Sequence, residues 1–108
     1  MYFNMNKLII PQIIADAFDV PLEALSEKTR ERDVVEARHF AMWFYVNHEH
    51  LGKARTGRKF NRDHATVIYA CTMVDNLLQT DKGFIYKSNK AFKALREAGV
   101  IEPETTEV

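Results

Sequence analysis

The sequence predicts an all-α fold, a helical bundle, and three observations carry that prediction. Over most of the chain, apolar residues recur three and four positions apart, the spacing that collects side chains on one face of a helix. No segment alternates strictly between apolar and polar residues, as a half-buried strand does. Residues that typically begin or end helices, among them Asp33, Asp63 and Gly99, stand at the borders of these apolar patterns.

Length and composition predict one domain over residues 1–108, with its core at about 8–100. The 108 residues are 46% hydrophobic and 28% charged, which is ordinary for a soluble globular protein. Residues 102–108 form an acidic tail that we expect to be mobile. The apolar run at 8–14 contains Pro11 and Gln12 and is too short for a membrane span or a signal peptide, so we expect a cytoplasmic protein.

The first helix is predicted to run from about Ile10 to Asp19. Pro11 falls in its opening turn, where proline is tolerated, and the buried stripe consists of Ile10, Ile13, Ile14, Ala17 and Phe18. Residues 22–25 are long enough for one further helical turn. Residues 26–32 are predicted to form a loop that carries Lys28, Arg30 and Arg32, diluted by neighbouring acids that can pair with them.

A long helix is predicted from an Asp33 N-cap to about His50, with one side formed by Val34, Ala37, Ala41, Phe44, Tyr45 and His48. Phe40 and Trp43 lie off this stripe, so we expect the helix to be covered on two sides. The alternative is that Trp43 is an exposed anchor for a partner. Arg38 lies within the apolar row and is interpreted as structural, held by a buried carboxylate or by carbonyls at a helix end.

The next segments are a short, irregular helix within residues 51–60 and a helix over about 62–79. Asn61 or Asp63 can cap the second of these, whose buried stripe contains Val67, Ala70, Cys71, Val74 and Leu78. Cys71 is the single cysteine, so no internal disulfide forms, and we interpret it as a core residue. Thr80 to Gly83 are predicted to form a loop. The last helix buries Ala91, Phe92, Leu95 and Ala98, with Gly99 as its C′ residue.

Positive charge is concentrated just before the helix at 62–79. The chain has 15 basic and 15 acidic residues, which argues against coating nucleic acid by bulk attraction, so binding must rely on local clusters. One such cluster contains no acid between Leu51 and Asp63, and its members are Lys53, Arg55, Arg58, Lys59 and Arg62. A basic cluster at a helix N-terminus suits phosphate.

Three ordered blocks resemble the C-terminal DNA-binding domain, domain IV, of the bacterial chromosomal replication initiator DnaA. Arg62-Asp63-His64-Ala65-Thr66-Val67 is similar to that family's Arg-Asp-His-Thr/Ala-Thr-Val signature. Lys28-Thr29-Arg30-Glu31-Arg32 resembles its basic loop, and Ala37-Arg38-His39-Phe40-Ala41-Met42 resembles the Ala-Arg-Gln-Ile-Ala-Met segment of its long helix. The likeness covers residues 14–78, and we expect such a domain as a stand-alone chain.

The resemblance implies a helix-turn-helix whose second helix enters the major groove of double-stranded DNA while the basic loop reaches the adjacent minor groove. It assigns Asp63 and His64 to base edges, the methyl groups of Ala65 and Thr66 to a thymine methyl, and Arg30 to a narrow A·T-rich minor groove. Arg62 suits a phosphate. The full set of expected DNA contacts is Lys28, Arg30, Arg32, Lys53, Arg58, Lys59, Arg62, Asp63, His64, Ala65 and Thr66.

A helical wheel gives an independent test of these assignments. With the Val67 stripe towards the core, the residues that point outward are Arg62, Ala65, Thr66, Tyr69, Thr72 and Asn76. Asp63 and His64 do not, although both stand at the start of the helix, where side chains project beyond its end. Their role as base readers therefore rests on the resemblance.

The chain departs from the family at several positions. Thr56-Gly57 stands where an Ile-Gly pair is usual, Ala65 lacks a hydroxyl, and Glu31, Asp33 and Glu36 place acids around the basic loop. There is no Gly-x-x-x-x-Gly-Lys-Ser/Thr motif, so ATP-driven assembly is not assigned to these residues.

The leading hypothesis is sequence-specific binding to a DnaA-box-like site by a regulatory or accessory factor in replication or transcription, with a possible protein partner in replication. The alternative is a protein-interaction module that kept the fold and lost DNA affinity, marked by an exposed aromatic patch around Trp43 and Phe40. No enzyme, cofactor, small-molecule substrate or membrane association is predicted. His48, His50 and His64 lack the spacing of metal ligands, so no metal site is predicted either.

Overall fold

The computed structural model describes residues 9–102, and within that range the protein is all-helical, as predicted. Five α-helices and one short 3₁₀ helix follow each other along the chain. We number the α-helices α1 (Ile10–Ala17), α2 (Arg32–Asn47), α3 (Lys53–Lys59), α4 (His64–Thr80) and α5 (Lys82–Glu97), and the 3₁₀ helix spans Leu22–Ser26 between α1 and α2. The expected acidic tail falls almost wholly outside the described residues.

Helix α1 begins with Pro11 in its first turn and buries Ile10 and Ile14, as the apolar stripe predicted. It ends where Asp19 adopts a left-handed conformation, with φ at 59°. The Val20 amide then donates to the Ala15 carbonyl at 3.0 Å, which closes the helix end and turns the chain towards the 3₁₀ helix.

Helix α2 is the central element, and it is covered on two sides. Phe40 and Phe44 are fully buried, and Trp43 is 9% exposed with its Nε1 donating to Asp75 Oδ1 at 3.0 Å. The interpretation of Trp43 as an exposed anchor is therefore wrong, and Phe40 and Trp43 do not form the exposed aromatic patch that would mark an interaction module. His48 is exposed, and its ring stacks on Phe44 at the helix end.

Two predicted helix boundaries are wrong, and in both cases an aspartate side chain has a different partner from the one expected. Helix α2 starts at Arg32 after Glu31, so Asp33 lies inside the first turn, where its Oδ1 stands 3.6 Å from Lys87 Nζ. The expected loop from Thr80 to Gly83 is absent, because Asp81 is the single residue that separates α4 from α5. The Asp81 amide donates to the Leu77 carbonyl at 3.0 Å while its side chain accepts from the Phe84 amide at 2.9 Å, so one residue ends α4 and begins α5.

Helix α5 closes the core against α1 and α4. Phe18 joins the layers, with its ring centroid 5.3 Å from that of Phe40 and 5.6 Å from that of Phe84. Gly99 has φ at 78° and serves as the predicted C′ residue, followed by the buried Val100. Within residues 9–102, no helix has the length and apolar character needed to span a lipid bilayer.

Candidate functional site

Helices α3 and α4 form a helix-turn-helix whose turn is fixed by backbone hydrogen bonds. Helix α3 is regular rather than irregular, and Asn61 follows it in a left-handed conformation with φ at 59°. The Asn61 amide donates to the Arg58 carbonyl at 3.3 Å, and the Arg62 amide donates to the Gly57 carbonyl at 2.7 Å. This is a Schellman ending with asparagine at C′, a residue that tolerates positive φ.

The turn folds back so closely on α3 that Gly57 cannot carry a side chain without movement. A Cβ at Gly57 would overlap the backbone carbonyl oxygen of Arg62 and lie 3.2 Å from the Asp63 carbonyl carbon. The preceding residue, Thr56, is fully buried, and its Oγ1 has no hydrogen-bond partner within residues 9–102. The sequence marks Thr56 as a departure from the family's Ile-Gly pair and Gly57 as a match to it, but only the packing explains why glycine is needed at position 57.

Helix α4 begins with an N-cap at Asp63, one of the two caps that the sequence offers. Asp63 Oδ1 accepts from the Thr66 amide at 2.9 Å and from Thr66 Oγ1 at 3.0 Å. These hydrogen bonds to Thr66 lower the pKa of the Asp63 carboxyl. These residues stand together at the start of α4, where Asp63, His64 and Ala65 are exposed and Thr66 is half-buried.

Arg62 lies at this same helix start, but carbonyl groups already engage its guanidinium. Nη1 donates to the carbonyls of Phe60 and Asn61 at 3.0 and 3.1 Å, and Nη2 donates to the Glu27 carbonyl at 2.7 Å. The helical wheel placed Arg62 on the outward face of α4 but did not show that its guanidinium binds backbone carbonyls. Arg62 ties the start of α4 to the beginning of the basic loop.

Arg38 binds the same end of that loop from the core, and its structural role is confirmed. The residue is 4% exposed and donates from Nε to the Leu25 carbonyl at 2.8 Å and from Nη2 to the carbonyls of Ala24 and Glu27 at 3.4 and 2.7 Å. Burial, and then the nearby Arg62, lower the pKa of the guanidinium. The carbonyls at the end of the 3₁₀ helix, rather than a carboxylate, hold it in the core.

The three basic residues of the loop are not equivalent. Lys28 and Arg30 are exposed, and neither forms a hydrogen bond or ion pair with any residue from 9 to 102. Arg32 pairs with Glu36 at 3.1 Å and with Asp81 at 3.4 Å, and these acids raise its pKa. The expectation that acids pair with this loop therefore holds at Arg32, while Lys28 and Arg30 remain available to a ligand.

One groove of about 730 Å³ joins the basic loop to α4. Arg30 and Arg32 line it from the loop and Thr66 lines it from the start of α4. Its apolar lining includes Val35 from α2 and Met73 and Leu77 from α4. The structure thus brings the loop and part of the signature to one continuous surface.

The basic residues of α3 are distributed differently. Lys53, Arg58 and Lys59 are all exposed. Lys59 Nζ stands 5.2 Å from the centroid of the Tyr45 ring, and its side chain lines a separate cavity of about 440 Å³ beside Leu22. Lys59 is therefore not among the residues that surround the groove between α2 and α4.

Comparison with known proteins agrees with this geometry. Residues 8–74 match the family model described as the bacterial dnaA protein helix-turn-helix, and they include the α3–α4 turn and the loop that it holds. The chain belongs to this helix-turn-helix family. Its first seven positions and everything after Val74, including α5, lie outside the matched range.

Individual DnaA proteins show the same likeness. The chain is 46% identical over 76 residues to the chromosomal replication initiator protein DnaA of Flavobacterium psychrophilum, and 37% identical over 76 residues to that of Bacteroides thetaiotaomicron. Each alignment covers 69% of this chain and 16% of the DnaA protein. The DnaA protein of a Wolbachia from Brugia malayi is 33% identical over 97 residues, which cover 86% of this chain and 21% of that protein.

Two residues of the groove were not among the predicted contacts. Tyr69 is 58% exposed on α4, and His39 on α2 meets it edge to face with ring centroids 5.9 Å apart and an interplanar angle of 80°. The helical wheel already pointed Tyr69 outward, and His39 stands where the family has glutamine. Sequence reasoning lacked the distance between α2 and α4 that brings the two rings together.

Proposed function

We propose that this domain binds double-stranded DNA at a DnaA-box-like site and acts as a regulatory or accessory factor in replication or transcription. Membership of the DnaA helix-turn-helix family supports DNA as the ligand. The sequence of these 108 residues contains no phosphate-binding Gly-x-x-x-x-Gly-Lys-Ser/Thr motif. We therefore assign site recognition to the domain and leave ATP-dependent steps out of the proposal.

The observation that carries the proposal is the double attachment of the basic loop at Glu27. Its carbonyl oxygen accepts from Arg38 in the core and from Arg62 at the start of α4. The two arginines hold the beginning of the loop at a fixed place relative to α4. The domain can then present α4 to a major groove and Arg30 to the adjacent minor groove with a smaller entropic cost of ordering the loop.

Residue roles follow from exposure and hydrogen bonding. His64 and Ala65 are exposed at the first turn of α4 and are assigned to base edges. Asp63 is assigned to a base edge as well as to the helix cap. The cap holds the first turn of α4 in place for the neighbouring base contacts. Lys28, Lys53, Arg58 and the engaged Arg62 are assigned to phosphates, which position the domain without carrying sequence information.

Arg32 and Lys59 take weaker parts in the proposal. Arg32 must exchange its pairs with Glu36 and Asp81 for a phosphate, which reduces its net gain. Lys59 lies against the Tyr45 ring and is assigned to a flanking phosphate. The zero net charge of the chain makes specific contacts more important, since bulk attraction to the duplex contributes little.

The test is a fluorescence-anisotropy titration with a labelled duplex that contains a DnaA box and with a scrambled duplex of the same composition. At moderate salt we expect at least about tenfold tighter binding to the box, a conservative margin for specific recognition. Equal, weak binding to both duplexes would overturn the proposal. Repeating the titration over a range of salt concentrations separates phosphate contacts from base contacts.

A further inference from the structure

We propose that Tyr69 contacts the DNA strand that crosses the groove between α2 and α4, and that His39 is the positioning residue for its ring. This inference rests on the proposed DNA binding and adds a contact that the signature residues do not include. The groove has Arg30 at its loop side and Thr66 at its α4 side. Tyr69 lines the same groove, three residues after Thr66 on α4.

The position of the groove determines which part of DNA lies over it. If α4 occupies a major groove and Arg30 occupies the adjacent minor groove, one sugar-phosphate strand separates the two sites. That strand must pass over the surface between Thr66 and Arg30. The apolar lining residues Val35, Met73 and Leu77 suit the carbon face of a deoxyribose, while the phosphate requires a hydrogen-bond donor.

Tyr69 provides such a donor. Its side chain is 58% exposed, and its hydroxyl has no hydrogen-bond partner within residues 9–102. A phenolic hydroxyl donates to a phosphate oxygen through a charge-assisted hydrogen bond. The side chain also has only two rotatable bonds, so a contact that it makes costs little conformational entropy.

His39 restricts the orientation of the Tyr69 ring. The two rings meet edge to face at 5.9 Å, the geometry that aromatic pairs prefer. Burial, and then Arg38 and Arg62, lower the pKa of His39 to about 4, so the imidazole is neutral near pH 7. His39 therefore acts on Tyr69 through packing and adds no positive charge of its own to the groove.

Charged groups in the groove make the hydroxyl contact more valuable. Glu36 lines the same groove and repels a phosphate, although Arg32 pairs with it. The groove therefore attracts a phosphate less strongly than its two arginines, Arg30 and Arg32, would without Glu36. A neutral donor such as Tyr69 can bind the phosphate without having to break an ion pair.

The test compares the parent protein with Tyr69→Phe on box duplexes that each carry one nonionic methylphosphonate linkage. Loss of the hydroxyl should weaken binding to the unmodified box about ten- to hundredfold, the range for one hydrogen bond to a charged group. The loss should vanish on the duplex in which the contacted phosphate is the modified one, and persist on the others. Tyr86→Phe is the matched control, since Tyr86 is 66% exposed on α5 and does not line the groove.

The role of His39 is tested by a double-mutant cycle. His39→Ala should weaken binding in the parent background and have little further effect with Tyr69→Ala, and His39→Phe should restore most of the affinity because it keeps a ring against Tyr69. If the parent prefers the box but Tyr69→Phe binds each duplex as tightly as the parent does, the inference is wrong and the proposed function stands. If the parent shows no preference for the box, both are wrong.

Discussion

Arg38 and Arg62 donate to the same acceptor, because the Nη2 atom of each lies 2.7 Å from the carbonyl oxygen of Glu27. One arginine comes from the middle of the central helix and the other from the turn of the helix-turn-helix. Their shared acceptor joins three parts of the chain that are distant in sequence. It fixes where the basic loop begins relative to α4, which is the relationship that the proposed recognition of two adjacent grooves requires.

Replacing Arg38 should destabilise the fold. In Arg38→Met the carbonyls of Ala24 and Leu25 lose their buried donor, so we expect the free energy of unfolding to fall by about 2–4 kcal/mol. Urea denaturation measures the loss. Arg58→Met is the control, because Arg58 is exposed on α3 and its replacement should change stability by less than about 0.5 kcal/mol. Equal stability of the two variants would contradict the role given to Arg38.

Gly57→Ala should also be destabilising, by about 1–3 kcal/mol, because the new Cβ overlaps the Arg62 carbonyl and forces the turn away from α3. Gly52→Ala offers a control in the same part of the chain, since a Cβ there meets no atom within 4 Å. Thermal unfolding of both variants decides the matter. If Gly57→Ala and Gly52→Ala have the same melting temperature, the turn is less tightly packed against α3 than in the structure.

Thr56→Val should stabilise the protein. The substitution keeps the shape of a fully buried side chain and removes a hydroxyl that has no hydrogen-bond partner among the described residues, a gain of about 1 kcal/mol. Thr72→Val is the matched control, because Thr72 is exposed and its hydroxyl donates to the Ile68 carbonyl at 3.3 Å. A less stable Thr56→Val would mean that the Thr56 hydroxyl does make a favourable contact.

His39 should make stability depend on pH between about 4 and 6.5. Its pKa is lowered to about 4 from 6.5, so the unfolded chain takes up a proton in this interval before the folded chain does. Stability is therefore full above about pH 6.5 and is lost as the pH falls towards 4. Since the side chain is partly exposed, we discount the full shift and expect a loss of about 1–2 kcal/mol.

The measurement is the free energy of unfolding as a function of pH for the parent and for His39→Gln. The variant should show a shallower fall over this interval, because a glutamine side chain titrates in neither the folded nor the unfolded state. His64→Gln, at an exposed position on α4, accounts for the loss of a histidine as such. Parallel pH profiles for the parent and His39→Gln would rule out this linkage.

Much of this architecture is predictable from local sequence rules. Apolar periodicity identifies all the long helices, and the apolar setting of Arg38 indicates a structural role. Residue chemistry identifies Gly99 as the C′ glycine and limits the cap of α4 to Asn61 or Asp63, between which the structure decides. The predictions at Asp33 and Asp81 were wrong for a shared reason. A carboxylate at a helix border can cap the backbone or pair with a distant cation, and only the position of Lys87 settles that choice at Asp33.

The candidate site was less predictable, because it depends on distances between elements. The helical wheel points Arg62 outward, but the Glu27 carbonyl lies close enough to engage it. The pairing of Tyr69 with His39 likewise requires the packing of α4 on α2. Helical periodicity gives the face on which a residue lies, whereas tertiary contacts determine which groups meet there.

The most direct test of the central claim is selection of bound duplexes from a random library by the parent protein, Arg30→Ala and His64→Ala. We expect the parent to enrich a DnaA-box-like site with an adjoining A·T-rich segment. Arg30→Ala should lose only the A·T preference, and His64→Ala should lose about 1–3 kcal/mol of discrimination at the base it reads. Lys93→Ala, on α5, should select as the parent does. No enriched site, or the same altered positions in both variants, would contradict recognition by two separate elements.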